Sequence, residues 1–186
     1  MNRCSWVNDN PLYIEYHDKE WGRASYDDRH LFEMLILEMF QAGLSWECIL
    51  NKRKYFVEAF DSFDVVKVSN YGDNKIEELM NNKNIVRNKR KITASISNAK
   101  IFREIQNEFG SFSNYIWSFT NNLIIDHKGL FMTSNELSDT ISLDLKKRGM
   151  KFVGTVIIYS YLQAIGIIND HEIDCFCYLD VKKPKE

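Results

Sequence analysis

The chain has 186 residues, a formal net charge of −2 and an apolar fraction of 45%, with aromatic residues at 13%. This length suits one domain, or two small lobes that share a core, and the near-neutral charge argues against a protein that coats nucleic acid without selectivity. The N-terminus lacks the apolar segment of a signal peptide, and no apolar run approaches the roughly 20 residues of a membrane span. We therefore expect a cytoplasmic protein with no membrane partner.

The first 22 residues combine candidate metal ligands with large aromatic side chains. Cys4 and His17 are residue types that bind zinc. The same segment carries four large rings: Trp6, Tyr13, Tyr16 and Trp21. A chain start normally frays unless something holds it in place, and a metal could do so here. Flat rings held by a metal predict a pocket for a flat ligand.

Periodicity and boundary residues predict an all-α fold along the rest of the chain. Asp27 and Asp28 can cap a helix over 29–42 that ends at Gly43. Further helices are predicted over 55–60, 75–81 (capped by Asp73 or Asn74), 89–109, 115–119 (opened by Ser111 or Ser113), 138–148 and 153–165. Residues 121–133 are expected to be an irregular loop, and strand-like alternation is nearly absent.

The helix over 29–42 is apolar on most sides and should cross the core. Glu38 shares a helical face with Leu31 and Leu35, whereas Glu33 is expected to meet solvent. A buried carboxylate is costly unless a partner neutralises it, and such groups often mark functional sites. A rim position or an arginine partner would equally explain Glu38. The turn GLSW that follows could bring Trp46 to the same cavity as Glu38.

A second group of candidate zinc ligands lies near the C-terminus. His171 and Cys175 are four residues apart, as on one face of a helix, and Cys4 with His17 could complete a tetrahedral set. Four protein ligands leave no open position, so such a zinc would be structural. Spacing alone favours free thiols and surface histidines, and Cys177 competes with Cys175. The motif pair of a catalytic zinc deaminase is absent.

The stretch 83–100 contains six cationic residues and no acidic one: Lys83, Arg87, Lys89, Arg90, Lys91 and Lys100. Its first part, NNKNIVRNKRKI, predicts a turn between two helices with an apolar tip at Ile85 and Val86. Cations at a helix start can approach a phosphate backbone, although a solvated polar turn is the commoner meaning of such a run. The later cluster KKR at 146–148 can simply complement a helix dipole.

These segments together resemble the 3-methyladenine DNA glycosylase I family, within the helix-hairpin-helix glycosylase superfamily. The matching text is RCSWV, NDNPLYIEYHDKEWG, LFEMLILE, QAGLSW, IVRNKRKI, YIWSF, LKKRGMKFVGT and NDHEIDCFCY, which together span Cys4 to about Tyr178. The resemblance implies a helix-hairpin-helix glycosylase fold, all-α, as a single catalytic domain over 1–186. It also implies a monomeric enzyme that flips 3-methyladenine out of double-stranded DNA and removes it hydrolytically without cutting the strand.

The family resemblance also implies roles for particular residues. One structural zinc would be held by Cys4, His17, His171 and Cys175. The resemblance thus favours Cys175 rather than Cys177 as the fourth ligand. Glu38 would be the catalytic residue, Glu38 and Tyr16 would hydrogen-bond the lesion base, and Trp46 would stack on it. The rest of the pocket would be lined by Trp6, Tyr13 and Trp21. The DNA-binding hairpin would comprise Asn84, Ile85, Arg87 and Lys89, where Asn84 replaces a common glycine and should tolerate a left-handed backbone.

The chemistry of the lesion suits these residue types. Methylation at N3 makes adenine cationic and weakens its bond to the sugar, so selection of the base matters more than strong acid catalysis. A tryptophan face and a carboxylate both favour a cation. Because the family lacks the catalytic aspartate of its superfamily relatives, Glu38 is expected to act first through recognition and electrostatics. The alternatives are a zinc-stabilised damage-binding or purine-binding protein without catalysis, or an all-α interaction protein.

Overall fold

The computed structural model describes residues 2–130 and 132–181, and these form ten α-helices and two short strands. The helices are α1 Pro11–Lys19, α2 Asp28–Gln41, α3 Trp46–Ala59, α4 Val65–Ser69, α5 Asp73–Asn81, α6 Lys89–Phe109, α7 Phe112–Ser118, α8 Glu136–Lys147, α9 Thr155–Ala164 and α10 Cys177–Asp180; a 3₁₀ turn spans Asp61–Phe63. The predicted all-α class is confirmed. Within the described ranges, no helix is long and apolar enough to cross a membrane.

Helix α2 lies at the centre of the molecule. The Asp27 side chain caps it by accepting a hydrogen bond from the Arg29 amide, and almost every side chain from Leu31 to Phe40 is buried. It packs against α3, α6, α7 and α9. The buried apolar residues form one core cluster around this helix. The division into two small lobes stays a prediction.

The long helix α6 begins and ends where the sequence predicts. The Asn88 side chain accepts a hydrogen bond from the Lys91 amide at the first turn. At the other end Gly110 adopts a left-handed conformation with φ of 84°, which a residue without a Cβ adopts at little cost. Helix α6 packs against α2, α4, α5 and α7, so it connects most of the core.

Several local features differ from the predictions: α4 was not predicted, and α3 begins at Trp46 rather than at residue 55. Helix α1 was not predicted; Pro11 occupies its first turn and the Asn10 side chain caps it. Helix α5 begins at Asp73 after Gly72, so neither Asp73 nor Asn74 caps it. The loop over 121–133 contains the strand β1, Ile125–Asp126, which pairs in parallel with β2, Ile168–Asn169. Strands of two residues are too short to produce a recognisable alternation in sequence.

Candidate functional site

An aromatic cavity of about 330 Å³ opens between α1, α2, α3 and α9. This volume is at the lower end of the range for small-molecule sites, about 300–1,000 Å³. All six residues predicted to form a base-binding pocket line it. The full lining is Trp6, Tyr13, Tyr16, Trp21, Glu38, Gln41, Trp46, Gly129, Ser160, Gln163, Asp170 and Glu172.

Of the carboxylate residues that line this cavity, Glu38 is the one carried by the central helix α2. Its side chain is 4% exposed, and burial raises the pKa of its carboxyl group to about 8. Among the described residues, Glu38 Oε2 and Trp46 Nε1 are buried side-chain atoms without a hydrogen-bond partner. Unsatisfied buried polar atoms are rare because they are costly, so two in one cavity indicate a ligand that would satisfy them.

The arginine partner considered for Glu38 is found on Glu33 instead. Arg53 Nε donates to Glu33 Oε1 at 2.7 Å, and the Glu33 side chain is only 15% exposed, so the expectation that it meets solvent is wrong. The same arginine also binds Glu20. Helix α3 brings Arg53 to the side of α2 that carries Glu33, and within the described part of the chain Glu38 forms no ion pair.

Ring contacts give the cavity its aromatic walls. Tyr16 and Trp46 lie with ring centroids 5.2 Å apart at a tilt of 45°. A second group of rings forms where Trp6 packs edge-on against Trp21 at 4.8 Å and also contacts Tyr13 at 5.3 Å. Electron-rich faces around the Glu38 carboxylate form an environment that favours a flat, positively charged ligand.

The four predicted metal ligands come together in one buried cluster. Cys4, His17, His171 and Cys175 each offer a ligand atom within 4.8 Å of the others. Cys4 Sγ lies 3.4 Å from His171 Nδ1, and Cys175 Sγ lies 3.4 Å from His17 Nε2 and 3.7 Å from His171 Nδ1. Tetrahedral zinc with ordinary Zn–S and Zn–N bond lengths separates its ligand atoms by roughly 3.3–3.8 Å, so this donor set fits the ion.

The outer nitrogens of both histidines also have suitable partners. His17 Nδ1 lies 2.8 Å from Asp18 Oδ1, and His171 Nε2 lies 3.2 Å from the Trp21 carbonyl. Each ring can therefore donate its outer N–H to an oxygen and direct its other nitrogen into the cluster, as in histidines that bind zinc. Cys177 lies outside this group, with its sulfur 3.9 Å from the carbonyls of His17 and Asp18.

The helical face proposed for His171 and Cys175 is wrong, although the two residues do meet. Residues 171 and 172 have no regular structure, residues 173–176 form turns and a bend, and α10 begins only at Cys177. The Cys175 amide donates to the Glu172 carbonyl at 2.9 Å, and this tight turn returns Cys175 towards His171. The N-terminal segment adds a clasp, because Ser5 N donates to Glu172 Oε1 at 2.9 Å.

The metal cluster supports the aromatic wall directly. The Trp21 ring packs edge-on against His171 at 4.6 Å, and the Trp6 ring packs edge-on against His17 at 5.2 Å. The position of each tryptophan in the cavity therefore depends on a histidine of the cluster. Anything that holds these histidines in place also shapes the cavity.

The predicted basic hairpin is only partly a surface feature. Asn84, Arg87 and Lys89 are exposed between α5 and α6, but Ile85 is 3% exposed and packs into the core. Asn84 does not adopt the expected left-handed conformation. Lys91 does not contribute to a basic surface patch: it is 5% exposed, because its side chain turns inward to backbone carbonyls of α2.

Six residues of the cavity were not predicted from the sequence: Gln41, Gly129, Ser160, Gln163, Asp170 and Glu172. Gln41 follows Glu38 by three positions on α2, so helical spacing could have found it. Asp170 and Glu172 flank the candidate ligand His171. The other three come from α9 and the loop after β1, where no pattern in the sequence pointed to the cavity.

Comparisons with known proteins agree on one family. The family model described as "Methyladenine glycosylase" matches residues 6–178. The chain is 43% identical to DNA-3-methyladenine glycosylase 1 of Escherichia coli (strain K12), over 96% of this chain and 97% of that protein. It is similar to the 3-methyladenine DNA glycosylase I of Staphylococcus aureus, studied for the structural basis of 3-methyladenine recognition (TM-score 0.91, 36% identity, 100% and 98% coverage). A variant of such a glycosylase in complex with 3-methyladenine is also similar (TM-score 0.92, 36% identity, 100% and 99% coverage).

Proposed function

This chain belongs to the methyladenine glycosylase family, and from that premise we propose that it is a base-excision repair hydrolase that removes 3-methyladenine from alkylated DNA. The observation that carries the proposal is the unpartnered Glu38 carboxylate inside an aromatic cavity. A neutral purine would leave the burial cost of a charged Glu38 uncompensated. A cationic, N-methylated adenine supplies the missing positive charge and a hydrogen-bond donor.

The cavity would select the lesion by charge as well as shape. Trp46 would stack on the flipped base, and Tyr16 and Glu38 would hydrogen-bond it, with Glu38 accepting from its exocyclic amine. Trp6, Tyr13 and Trp21 would close the other wall. Because burial raises the pKa of Glu38 to about 8, the carboxyl group is largely neutral near pH 7 without ligand. A bound cation favours its ionised form, so recognition and ionisation of Glu38 are linked.

The reaction needs little acid catalysis because methylation already activates the leaving base. The bond between C1′ and the purine nitrogen breaks with its electron pair moving to the purine. Water then adds its oxygen to C1′ and loses a proton. Glu38 would stabilise the positive charge that builds up at this stage, and activation of the water is a second role for the same carboxylate. The products are free 3-methyladenine and an uncut strand with an abasic site.

A structural zinc ion completes the proposal. Cys4, His17, His171 and Cys175 would hold it, and the distances between their ligand atoms suit a closed tetrahedral site. The ion would take no part in the reaction. It would tie the N-terminal segment to the C-terminal turn and thereby hold Trp6 and Trp21 in the cavity wall.

Two hairpins are candidates for binding the DNA backbone. The first comprises Asn84 to Lys89, in which Arg87 and Lys89 are exposed. The second is the turn over 148–154 between α8 and α9, with exposed Lys147 just before it and exposed Lys151 within it. Helix α9 starts at Gly154 without a side-chain cap, so its first amides can face a phosphate, whereas Asn88 already caps α6. We assign the helix-hairpin-helix contact to α8 and α9, with the first hairpin as a flanking contact.

Release of free base tests the activity. N-methylated duplex DNA is incubated with the protein, and released bases are separated by chromatography. We expect 3-methyladenine to appear while 7-methylguanine stays in the DNA. No release, with binding of free 3-methyladenine intact, would favour the damage-binding or purine-binding alternatives. A free-purine binder would also show no salt-dependent affinity for duplex DNA.

The salt dependence of duplex binding tests the two hairpins separately. Each lost phosphate contact should reduce the slope of log affinity against log salt by about one. We compare the pair Arg87→Ala and Lys89→Ala with the pair Lys147→Ala and Lys151→Ala. A reduction of about two for the second pair supports the assignment to α8 and α9. An unchanged slope for that pair would place the backbone contact elsewhere.

A further inference from the structure

Helix α6 carries two buried polar side chains that bond to the backbone of other elements. Lys91, 5% exposed, donates from Nζ to the carbonyls of Phe40 at 2.8 Å and Ala42 at 2.6 Å. Asn98, fully buried, accepts from the Lys151 amide at 2.8 Å and donates to the Lys151 carbonyl at 2.9 Å. The two residues are seven apart, which places them on one helical face about 10 Å from each other.

Lys91 secures the end of the helix that carries Glu38. The last carbonyls of a helix have no partner within it, and the Lys91 ammonium satisfies two of them at the C-terminus of α2. Glu38 and Gln41 precede this point, and Trp46 begins α3 just after it. In between, Gly43 has φ of 83° and open space beside its Cα, so packing contributes little to hold this turn.

Asn98 does the same for the hairpin between α8 and α9. The amide and the carbonyl of Lys151 both hydrogen-bond to the Asn98 side chain, as they would to the backbone of a neighbouring strand. The hairpin also contains Phe152 at φ of 57° and Gly149 at φ of 98°. A non-glycine residue in the left-handed region needs support from its surroundings, and Asn98 supplies it at the adjacent peptide.

We propose that Lys91 and Asn98 are positioning residues, and that α6 is a strut that sets the distance between the DNA-binding hairpin and the cavity turn. The proposal rests on the proposed function, because it concerns where the flipped base lies in the cavity when the DNA backbone is bound at the hairpin. One rigid helix fixes both segments, so a phosphate held at 148–154 has a defined distance to Glu38 and Trp46. Errors of about 1 Å in such registration can cost roughly 100-fold in rate.

A purely structural role makes a different prediction, and Ser95 provides the matched control. Its hydroxyl is fully buried on the same helix, but it donates only to the Lys91 carbonyl of α6 itself, at 3.0 Å. Ser95→Ala therefore removes a buried polar group from α6 without releasing another element. Loss of stability alone would affect all three positions in the same way.

The test compares Lys91→Met, Asn98→Leu and Ser95→Ala well below their melting temperatures. Three quantities are measured: the single-turnover excision rate at saturating protein, affinity for a duplex with an abasic-site analogue, and affinity for free 3-methyladenine. Asn98→Leu should lower the rate and the duplex affinity about tenfold while free-base affinity stays within twofold. Lys91→Met should lower the rate and the free-base affinity while duplex affinity is retained. Ser95→Ala should match the wild-type protein in all three.

Two results would overturn the strut. One is a single-turnover rate for Lys91→Met and Asn98→Leu equal to that of Ser95→Ala; the other is a loss of free-base affinity in Asn98→Leu as large as its loss of rate. Asn98→Ala serves if the leucine variant does not fold. If the wild-type protein releases no base, the proposed function fails. The strut is then still tested by the loss of duplex affinity in Asn98→Leu and the loss of free-base affinity in Lys91→Met.

Discussion

Two glutamates near Tyr16 show opposite ways of burying a carboxylate. Tyr16 lines both the aromatic cavity that holds Glu38 and a groove that contains Glu20. Burial acts on Glu20 too, but hydrogen bonds from His30 at 3.0 Å and Arg53 at 2.7 Å outweigh it and lower the pKa of Glu20 to about 2. Glu38 has burial without such partners, and its pKa rises to about 8.

The comparison distinguishes Glu20, a carboxylate that stabilises the fold, from Glu38, a carboxylate that stays available for a ligand. Glu20 and Glu33 together satisfy Arg53, so their charges are compensated within the protein. The desolvation cost of an ionised Glu38 stays uncompensated until a cationic ligand binds. The favourable interaction between the two charges then contributes to the selection of that ligand. The surrounding core makes this possible because it excludes water, and among the described residues none donates a hydrogen bond to Glu38 Oε2.

The largest expected effect is on excision in Glu38→Gln. The variant keeps the shape of the side chain but loses the charge that would face the cationic base, so excision of 3-methyladenine should fall about 100-fold. Single-turnover rates on methylated duplex measure this. Glu20→Gln is the matched control and should keep at least half the wild-type rate at a temperature where it is folded. Equal losses in the two variants would contradict the distinction between these glutamates.

Metal removal should disturb the terminal segments that support the aromatic cavity, while the ion pairs of Arg53 on α3 stay intact. Chelation should lower the melting temperature by more than about 10 °C, because binding energy at a structural zinc site is folding energy. Hydrogen exchange should accelerate at residues 2–10 and 170–176 while the α3 amides keep their protection. A melting temperature that does not change with chelator would refute the structural zinc.

Arg53→Met should weaken the fold rather than the chemistry. The change leaves two partly buried carboxylates without their cation and should cost about 2 kcal/mol of unfolding free energy, measured by urea denaturation. Affinity for free 3-methyladenine should stay within twofold of the wild-type value. A large loss of that affinity would mean that the Arg53 side of Tyr16 also shapes the cavity.

The last expected effect is a pH dependence of stability that belongs to Glu38 and is spread over several pH units. Its pKa in the folded protein is about 8, above the ordinary value of 4.5. The native state therefore binds more protons than the unfolded state between these values, and the stability from Glu38 falls as pH rises from about 4.5 to 8 and then levels. Urea midpoints of wild type minus Glu38→Gln should follow this curve. A difference that stays flat across the window would show that Glu38 titrates normally.

Much of the helical framework was predictable because its signals are local. Gly110 ends α6 as predicted, and the caps of α2 and α7 are Asp27 and Ser111, each one of the two candidates that the sequence offered. These signals depend on neighbouring residues only. The β1–β2 pair and the turn at Cys175 were missed or misassigned, because both depend on contacts between distant segments. The roles assigned to individual site residues stay predictions that the experiments above can test.

The sequence by itself determined that Glu38 lies on an apolar helical face and that the ends of the chain carry two cysteines and two histidines of ligand type. It could not decide which carboxylate receives Arg53, since the choice between Glu33 and Glu38 depends on how α3 packs on α2. Nor could it show that Lys91, within a basic run, points into the core to bind α2 carbonyls. Charge and periodicity are properties of the chain, whereas pairing and burial require the packed molecule, because only packing determines which groups lose water and which partners replace it.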